Sequence, residues 1–415
     1  MNALLAIPEA RLAVLFVLGA CVGSLVNLGV YRLAWHPRPI GPWAIRHADA
    51  PPRRAADRLP IFGWLGLRRE AALHGTGFWV RPMLLEVLAG VGFAALYFWE
   101  IERQGLLPAA MTGPLPPGSM AVLHAQYGAH LLLIALMLVA SMIDLDEKII
   151  PDAVTIPGTL LGLTLAAAWP WSMLPEVSGG NVPLDFLRLT SPNPWPDGLD
   201  GCPQATSLLV GLGCWWTWCV ALMPRMWYTY YGWRKAIAFL FAKLAREPST
   251  YRILVMGLLG SAAIVAVWLF GAQRWEGLLS SLVGMAAAGG IVWMIRVIGT
   301  AALKKEAMGF GDVTLMAMIG TFLGWQTCLV VFFIAPFAGL VMGVAQMILF
   351  RDAEIPYGPF LCLAAVVTIV YWAAVWERLY LIFGLGLLVP LIVLCCMALM
   401  AVMLGTWRLI REAFR

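Results

Sequence analysis

Charge is scarce in this chain. Of 415 residues only 12% are Asp, Glu, Lys or Arg, against 61% hydrophobic, and the mean hydropathy is +0.82. That scarcity excludes a water-soluble domain, which has too little interior to hide so much apolar surface, so the excess must face lipid. Net charge is a modest +5 and no basic stripe runs through a polar domain, so no nucleic-acid partner is expected. Cys-x-x-Cys pairs are missing. Of the eight cysteines, all but Cys202 lie in apolar stretches, where cysteine behaves as a small hydrophobe. Neither a disulfide framework nor a thiolate zinc site is expected. Gly-x-Ser-x-Gly and His-Glu-x-x-His are also missing, which removes the common serine-hydrolase and zinc-peptidase signatures. The first apolar run, about 12–30, lacks an Ala-x-Ala cleavage site and reads as a retained span rather than a removable signal.

Long apolar runs are what the chain has instead. A bilayer-crossing helix needs about 20 mostly apolar residues. That ruler predicts an all-α polytopic membrane bundle of about eleven transmembrane helices, near 11–33, 82–99, 121–143, 152–170, 206–223, 252–271, 277–298, 312–327, 328–349, 359–377 and 379–407. The eighth and ninth are separated only by Gly324-Trp325-Gln326-Thr327, read as a tight turn. Lys and Arg concentrate in 34–81, 224–252, 299–311 and the C-terminal tail, whereas 171–205 holds only Arg188. With eleven spans these four segments share one side, which places the N-terminus outside and the C-terminus in the cytoplasm. The expected localisation is the inner membrane, with the lipid bilayer as the first partner. Segment 34–81 reads as a small basic cytoplasmic subdomain and 171–205 as a loop against the outer face. Trp233–Arg246 reads as an amphipathic helix on the inner surface. The expected organisation is an N-terminal region 1–170, an insertion 171–276, a core 277–378 and an extra span with basic tail 379–415.

Two acidic constellations interrupt the apolar pattern. Ser141-Met142-Ile143-Asp144-Leu145-Asp146-Glu147-Lys148-Ile149-Ile150-Pro151-Asp152 closes the third span and opens the fourth. Asp146, Glu147 and Lys148 suit a solvated turn, and Asp152 after Pro151 suits a helix start. Asp144 follows an unbroken apolar helix and has no such bland explanation. Met308-Gly309-Phe310-Gly311-Asp312 leads into the eighth span, where Asp312 also suits an N-cap and the glycines permit a sharp turn or close approach. The predicted topology puts Asp144 and Asp312 at one depth on one face. A charged group within a membrane helix costs roughly 2.5–3.5 kcal/mol on insertion scales, so such residues have partners. Two carboxyls sharing one proton could activate a water and polarise a peptide carbonyl, with no metal or covalent intermediate. The five histidines fit no nucleophile arrangement: His36, His47 and His74 fall in the basic loop, and His124 and His130 in the outer part of the third span.

Asp-Leu-Asp with Pro151-Asp152 seven and eight residues after Asp144, followed much later by Gly-x-Gly-Asp, resembles the bacterial type IV prepilin peptidases. Gly23-Ser24-Leu25-Val26-Asn27 with Tyr31-Arg32, Asp57–Trp64, Arg81-Pro82 with Leu85-Glu86, Gly320–Trp325 and Pro356-Tyr357-Gly358-Pro359-Phe360 extend the resemblance over about 15–165 and 280–375. It implies a membrane aspartic endopeptidase with Asp144 and Asp312 as the catalytic pair. Gly309, Gly311, Asp146, Pro151 and Asp152 would support them. It implies cleavage of leaders from prepilin or pseudopilin precursors, which carry a hydrophobic N-terminal helix, on the cytoplasmic side. Proteolysis would need no cofactor; S-adenosylmethionine enters only if the family's N-methylation is retained. Many members carry two Cys-x-x-Cys pairs in the first loop; no cysteine lies between Cys21 and Cys202, so no zinc is expected. Thr314 stands where the family commonly has Lys, and two spans in 171–276 and one after 378 are extra. A transporter using the paired aspartates for a proton or cation is the rival reading; a silent scaffold and a presenilin-type peptidase are further ones.

Overall fold

The computed structural model describes residues 7–45, 47–108, 118–176, 184–223, 248–303, 308–349 and 356–413. The described chain is almost entirely helical: α1 Pro8–Leu33, α2 Phe62–Leu67, α3 Ala71–His74, α4 Val80–Tyr97, α5 Ser119–Glu147, α6 Asp152–Ala168 and α7 Ala205–Ala221. There follow α8 Pro248–Phe270, α9 Ala272–Leu303, α10 Phe310–Leu349, α11 Gly358–Val370, α12 Trp372–Phe383 and α13 Leu388–Ala413. The amphipathic helix expected over Trp233–Arg246 lies outside the described residues.

Among the described residues seven helices are long and apolar enough to cross a membrane, or eight if α11 and α12 count as one bent span. The chain is therefore an all-α polytopic membrane protein. The expected eleven also counted α6 and α7, which at 17 residues each reach only about 26 Å, just under a hydrocarbon core of about 30 Å. It also divided α10 at Gly324, where the backbone breaks at φ 78° and ψ 169°, a region open to glycine. The run expected at 359–377 turns 90° after Val370. The last span starts at Leu388 rather than near 379.

Contacts at the helix ends sort the bundle into two poles. At the basic pole, the Trp35 and His36 amides donate to Glu147 at 2.7 and 3.0 Å. Arg408 reaches the Ala301 carbonyl at 3.0 Å, and Arg296 the Met308 carbonyl at 2.9 Å. At the opposite pole a two-stranded antiparallel ribbon, β1 Pro175–Glu176 and β2 Asp185–Phe186, belongs to a cap lying across the helix ends. Trp372 donates to the Pro175 carbonyl at 2.8 Å, Gln326 to the Arg188 carbonyl at 2.7 Å, and Ser280 accepts the Leu189 amide at 2.8 Å. The largest buried cluster joins α5, α10 and α11 through residues such as Met137, Ile143, Leu315, Ile319, Leu361 and Ala365. Asp144 and Asp312 lie at its basic end.

Candidate active site

Asp144 occupies the last turn of α5. The helix stops because Lys148 turns into the left-handed region, φ 56°, and its amide closes onto the Asp144 carbonyl at 2.8 Å. Extended chain then runs to Pro151, which caps α6 with φ −78° and ψ 135°. Asp312 stands in the first turn of α10, its carboxyl folded back to accept the Gly309 N–H. The two aspartates are 5% and 8% exposed.

Two glycines let these ends meet. A β-carbon at Gly311 would sit 2.8 Å from Ile150 Cβ, and one at Gly358 would sit 2.5 Å from Asp144 Oδ2 and 2.8 Å from Ile150 Cδ1. Gly311, Ile150, Gly358 and the Asp144 carboxyl therefore form one close stack. Asp144 and Asp312 are near enough for direct charge–charge interaction. The Gly358 N–H, at the start of α11, is directed at the Asp144 carboxyl, yet Oδ2 is buried with no hydrogen-bond partner among the described residues. A buried carboxylate oxygen in that state is costly. A proton shared with the neighbouring carboxyl, or a water held between the two, relieves it. Ser141, one turn before Asp144, hydrogen-bonds the Cys362 thiol, and both aspartates act electrostatically on Cys362. Tyr357 lies within the field of Asp312.

The remaining motif residues separate by role. Asp146 pairs with Arg81 at 2.5 Å and Arg38 at 3.7 Å, and Arg81 also reaches the Met142 carbonyl at 3.2 Å. With Glu147 holding Trp35 and His36, the end of α5 is fastened to both ends of segment 34–81. Gly309 supplies the backbone donor to Asp312, and Gly311 the close approach. Asp152 is exposed in the first turn of α6, where its charge complements the helix N-terminus.

The basic segment is less solvated than its composition implies. Arg53 binds both Glu70 oxygens at 3.2 and 3.3 Å and the Gly41 and Ala44 carbonyls at 2.7 and 2.8 Å. Arg69 pairs with Asp57, and buried Glu86 accepts from Trp64 Nε1 at 2.8 Å, Asn27 at 3.2 Å and the Ile61 amide. Burial works to raise the Asp57 carboxyl. The Arg69 hydrogen bond, the Arg54 amide and the charges of both arginines outweigh it and hold the group below the usual carboxylate range. His36 and His47 are exposed as expected, but the side chain of His74 is only 16% exposed and lies 3.6 Å from Glu70.

Sequence reading met Tyr357 and Gly358 only within the family resemblance and gave neither a role, and it gave none to Cys362; all three lie far along the chain from Asp144. The start of α11 at Tyr357-Gly358-Pro359, with proline in its first turn, was the available signal. It also missed that His130, in the outer half of α5, pairs with Glu100 at 2.8 Å, both fully buried. Among the described residues no group of three or more His, Cys, Asp or Glu side chains could hold a metal ion.

The chain matches the model of the type IV leader peptidase family over residues 131–186 and 246–344, the segments that carry Asp144 and Asp312. A prepilin leader peptidase/N-methyltransferase of Myxococcus xanthus is 31% identical over 160 residues, which cover 37% of this chain and 39% of that protein. The protein of the same name from Pseudomonas aeruginosa is 29% identical over 136 residues, covering 32% and 45%. That from Aeromonas hydrophila is 31% identical over 121 residues, covering 26% and 41%. The chain thus spans less than half the length of these curated relatives. No solved structure matches it.

Proposed function

We propose that this chain is a member of the type IV leader peptidase family, whose model it matches over residues 131–186 and 246–344, and that it is a membrane aspartic endopeptidase whose catalytic pair is Asp144 and Asp312. Its substrates are prepilin or pseudopilin precursors, cut between a basic leader and a hydrophobic helix. The observation that carries the reading is that two buried carboxyls lie close enough to act on one another electrostatically at one pole of an apolar bundle, with Asp144 Oδ2 unpartnered. Two like groups at this range hold one proton between them and titrate as a unit. The ionised member takes a proton from a water as that water attacks the scissile carbonyl. The protonated member hydrogen-bonds the carbonyl oxygen and then passes its proton to the leaving amine.

The pole that carries the pair is the cytoplasmic one, because segment 34–81 and the basic ends of α9 and α13 gather there. The N-terminus then lies outside, the C-terminus lies in the cytoplasm, and the host is the inner membrane. α6, α7 and the two parts of α10 complete eleven crossings, the short ones spanning a locally thinned bilayer.

N-methyltransfer, part of the relatives' name, needs S-adenosylmethionine, and the loop nearest the site does not suit it. Its cavity, about 210 Å³, is lined by Arg53, Arg54 and Arg58 around Asp57, which Arg69 already occupies. That is below the roughly 300–1,000 Å³ of ordinary ligand sites, and its basic wall opposes a sulfonium.

Single Asp144→Asn and Asp312→Asn variants, coexpressed with a prepilin, test the reading. Each is expected to leave membrane insertion intact and abolish conversion of precursor to mature protein on a gel. Retained conversion in either overturns the catalytic pair. Proton or cation flux in proteoliposomes without any proteolysis would favour the transporter.

A further inference from the structure

We propose that the apolar groove walled by α1, α4, α5 and α11 is the seat of the precursor's hydrophobic helix, and that it delivers the scissile bond to Asp144 and Asp312. The inference rests on the peptidase reading and adds where and how the substrate is held.

The groove encloses about 660 Å³. On α5 it runs from Leu131 to Leu145, about 21 Å at 1.5 Å per residue, and on α11 from Pro359 to Val370, about 17 Å. An occupant filling that length is an extended apolar rod, not a compact ligand. Almost nothing polar lines it, and the Ser141 hydroxyl is already bonded to Cys362. An occupant has no internal charge or hydrogen bond to satisfy, as a transmembrane helix has none to offer.

Two observations favour a protein helix over an acyl chain. The first is the floor. Gly92 and Ala95 on α4 and Ala135 on α5 are small lining residues. Small residues at a helix–helix interface let backbones approach closely, a main source of helix association where lipid removes the hydrophobic drive. A β-carbon at Gly92 would meet nothing within 4 Å, so the floor there is open. The second is continuity with the site. Ser141, Met142 and Leu145 line the groove's basic end and bracket Asp144. Pro359, also in the lining, follows Gly358, which touches Asp144 Oδ2. A helix lying in the groove therefore ends at the catalytic carboxyls, with its N-terminal flank against segment 34–81.

Gly92→Trp projects an indole into the groove from a position whose β-carbon meets nothing within 4 Å, and Val91→Trp places the same ring on the exposed face of α4 outside the lining. Both are assayed in detergent against two probes. One is a precursor with a basic leader followed by an apolar helix of about 20 residues. The other is a short soluble peptide that spans the same bond without the helix. Gly92→Trp is expected to lower the ratio of precursor to peptide cleavage on the order of tenfold, which corresponds to about 1.4 kcal/mol. Val91→Trp should leave that ratio at the wild-type value. An unchanged ratio in Gly92→Trp, including equal loss on both probes, overturns the groove while leaving the peptidase reading standing. Wild-type protein that cleaves neither probe removes the peptidase reading and the groove with it. As a second measurement, a photoreactive benzoylphenylalanine at position 92, in a protein also carrying Asp312→Asn, should capture the precursor. Adducts with lipid alone, or with a second copy of this chain, overturn the proposal.

Discussion

Helix α5 carries two buried polar pairs, and only one of them has the makings of a catalyst. His130 and Glu100 meet at 2.8 Å in its first half, both essentially inaccessible. Asp144 lies at its basic end, about 21 Å away at 1.5 Å per residue, within electrostatic reach of Asp312. Each pair leaves atoms without partners: Glu100 Oε2 and His130 Nε2 in one, Asp144 Oδ2 in the other. The difference is in what a proton can do. An imidazole and a carboxyl settle their charge between themselves, wherever the proton sits. Two carboxyls cannot, so one stays ionised beside an acid and both respond to whatever approaches. Access differs as well. The outer pair is shut in by residues such as Leu96, Ile101, Leu123 and Tyr127, while the inner pair lies where the groove, the start of α11 and the basic segment converge. Burial of ionisable groups is therefore no mark of function alone; like charge together with an approach route is.

The comparison breaks most sharply at the aspartates. Asp144→Asn or Asp312→Asn should reduce precursor cleavage by roughly 10⁴-fold or more, since acid and base work each supply about 10²–10⁴. Glu100→Gln, which keeps shape at the outer pair, should leave cleavage by the folded protein near the wild-type rate. A large loss of rate in Glu100→Gln at normal melting temperature would erase the distinction between the pairs.

His130→Ala should reverse the pattern. It leaves Glu100 buried without its partner, a change that costs about 3–5 kcal/mol where a buried pair is broken. The expected result is a lower melting temperature in detergent with cleavage per folded molecule unchanged. The double replacement of His130 and Glu100 by Leu should recover much of that stability, because the penalty is an uncompensated polar group rather than a lost attraction.

Gly358→Ala sharpens the inner half of the comparison. Its added methyl would lie 2.5 Å from Asp144 Oδ2, so the carboxyl or the start of α11 must shift. Misplacement of about 1 Å at a reacting group costs on the order of 10²-fold. The rate should fall by about that much with the melting temperature nearly kept, whereas Gly213→Ala on α7, with nothing within 4 Å of its added methyl, should be silent on both.

Much of this was legible in the sequence, and the exceptions share a cause. The membrane class and the two aspartates stand out because charge within an apolar run is visible locally. Their meeting was inferable from side and depth alone. The role of Gly358 was not: the glycine stood within the family resemblance, but its partner is more than 200 residues away and nothing local marks the contact. His130 was set aside as remote from the inner face, and Glu100 drew no notice, because a buried pair between two helix ends has no local signature. Counting basic residues picked out segment 34–81 but not its interior, where Arg53 and Arg69 are held by Glu70 and Asp57. Span counting divided the long apolar run where Gly324 breaks α10, and it ran past Val370, where the chain turns 90°. The groove, made by four helices distant in sequence, exists only after packing.

The smallest expected effect concerns how firmly segment 34–81 holds the inner pair in place. Arg81 ties Asp146 and the Met142 carbonyl, so it grips both sides of Asp144, yet its side chain is 44% exposed. An ion pair so open to water is worth about 0.2–1 kcal/mol and is screened by salt. Arg81→Gln should therefore lower cleavage by no more than about fivefold, and the gap from wild type should narrow as salt is raised. A loss approaching that of the aspartate variants would mean that Arg81 reaches the reacting groups. It would also move the boundary of the site outward to include the loop.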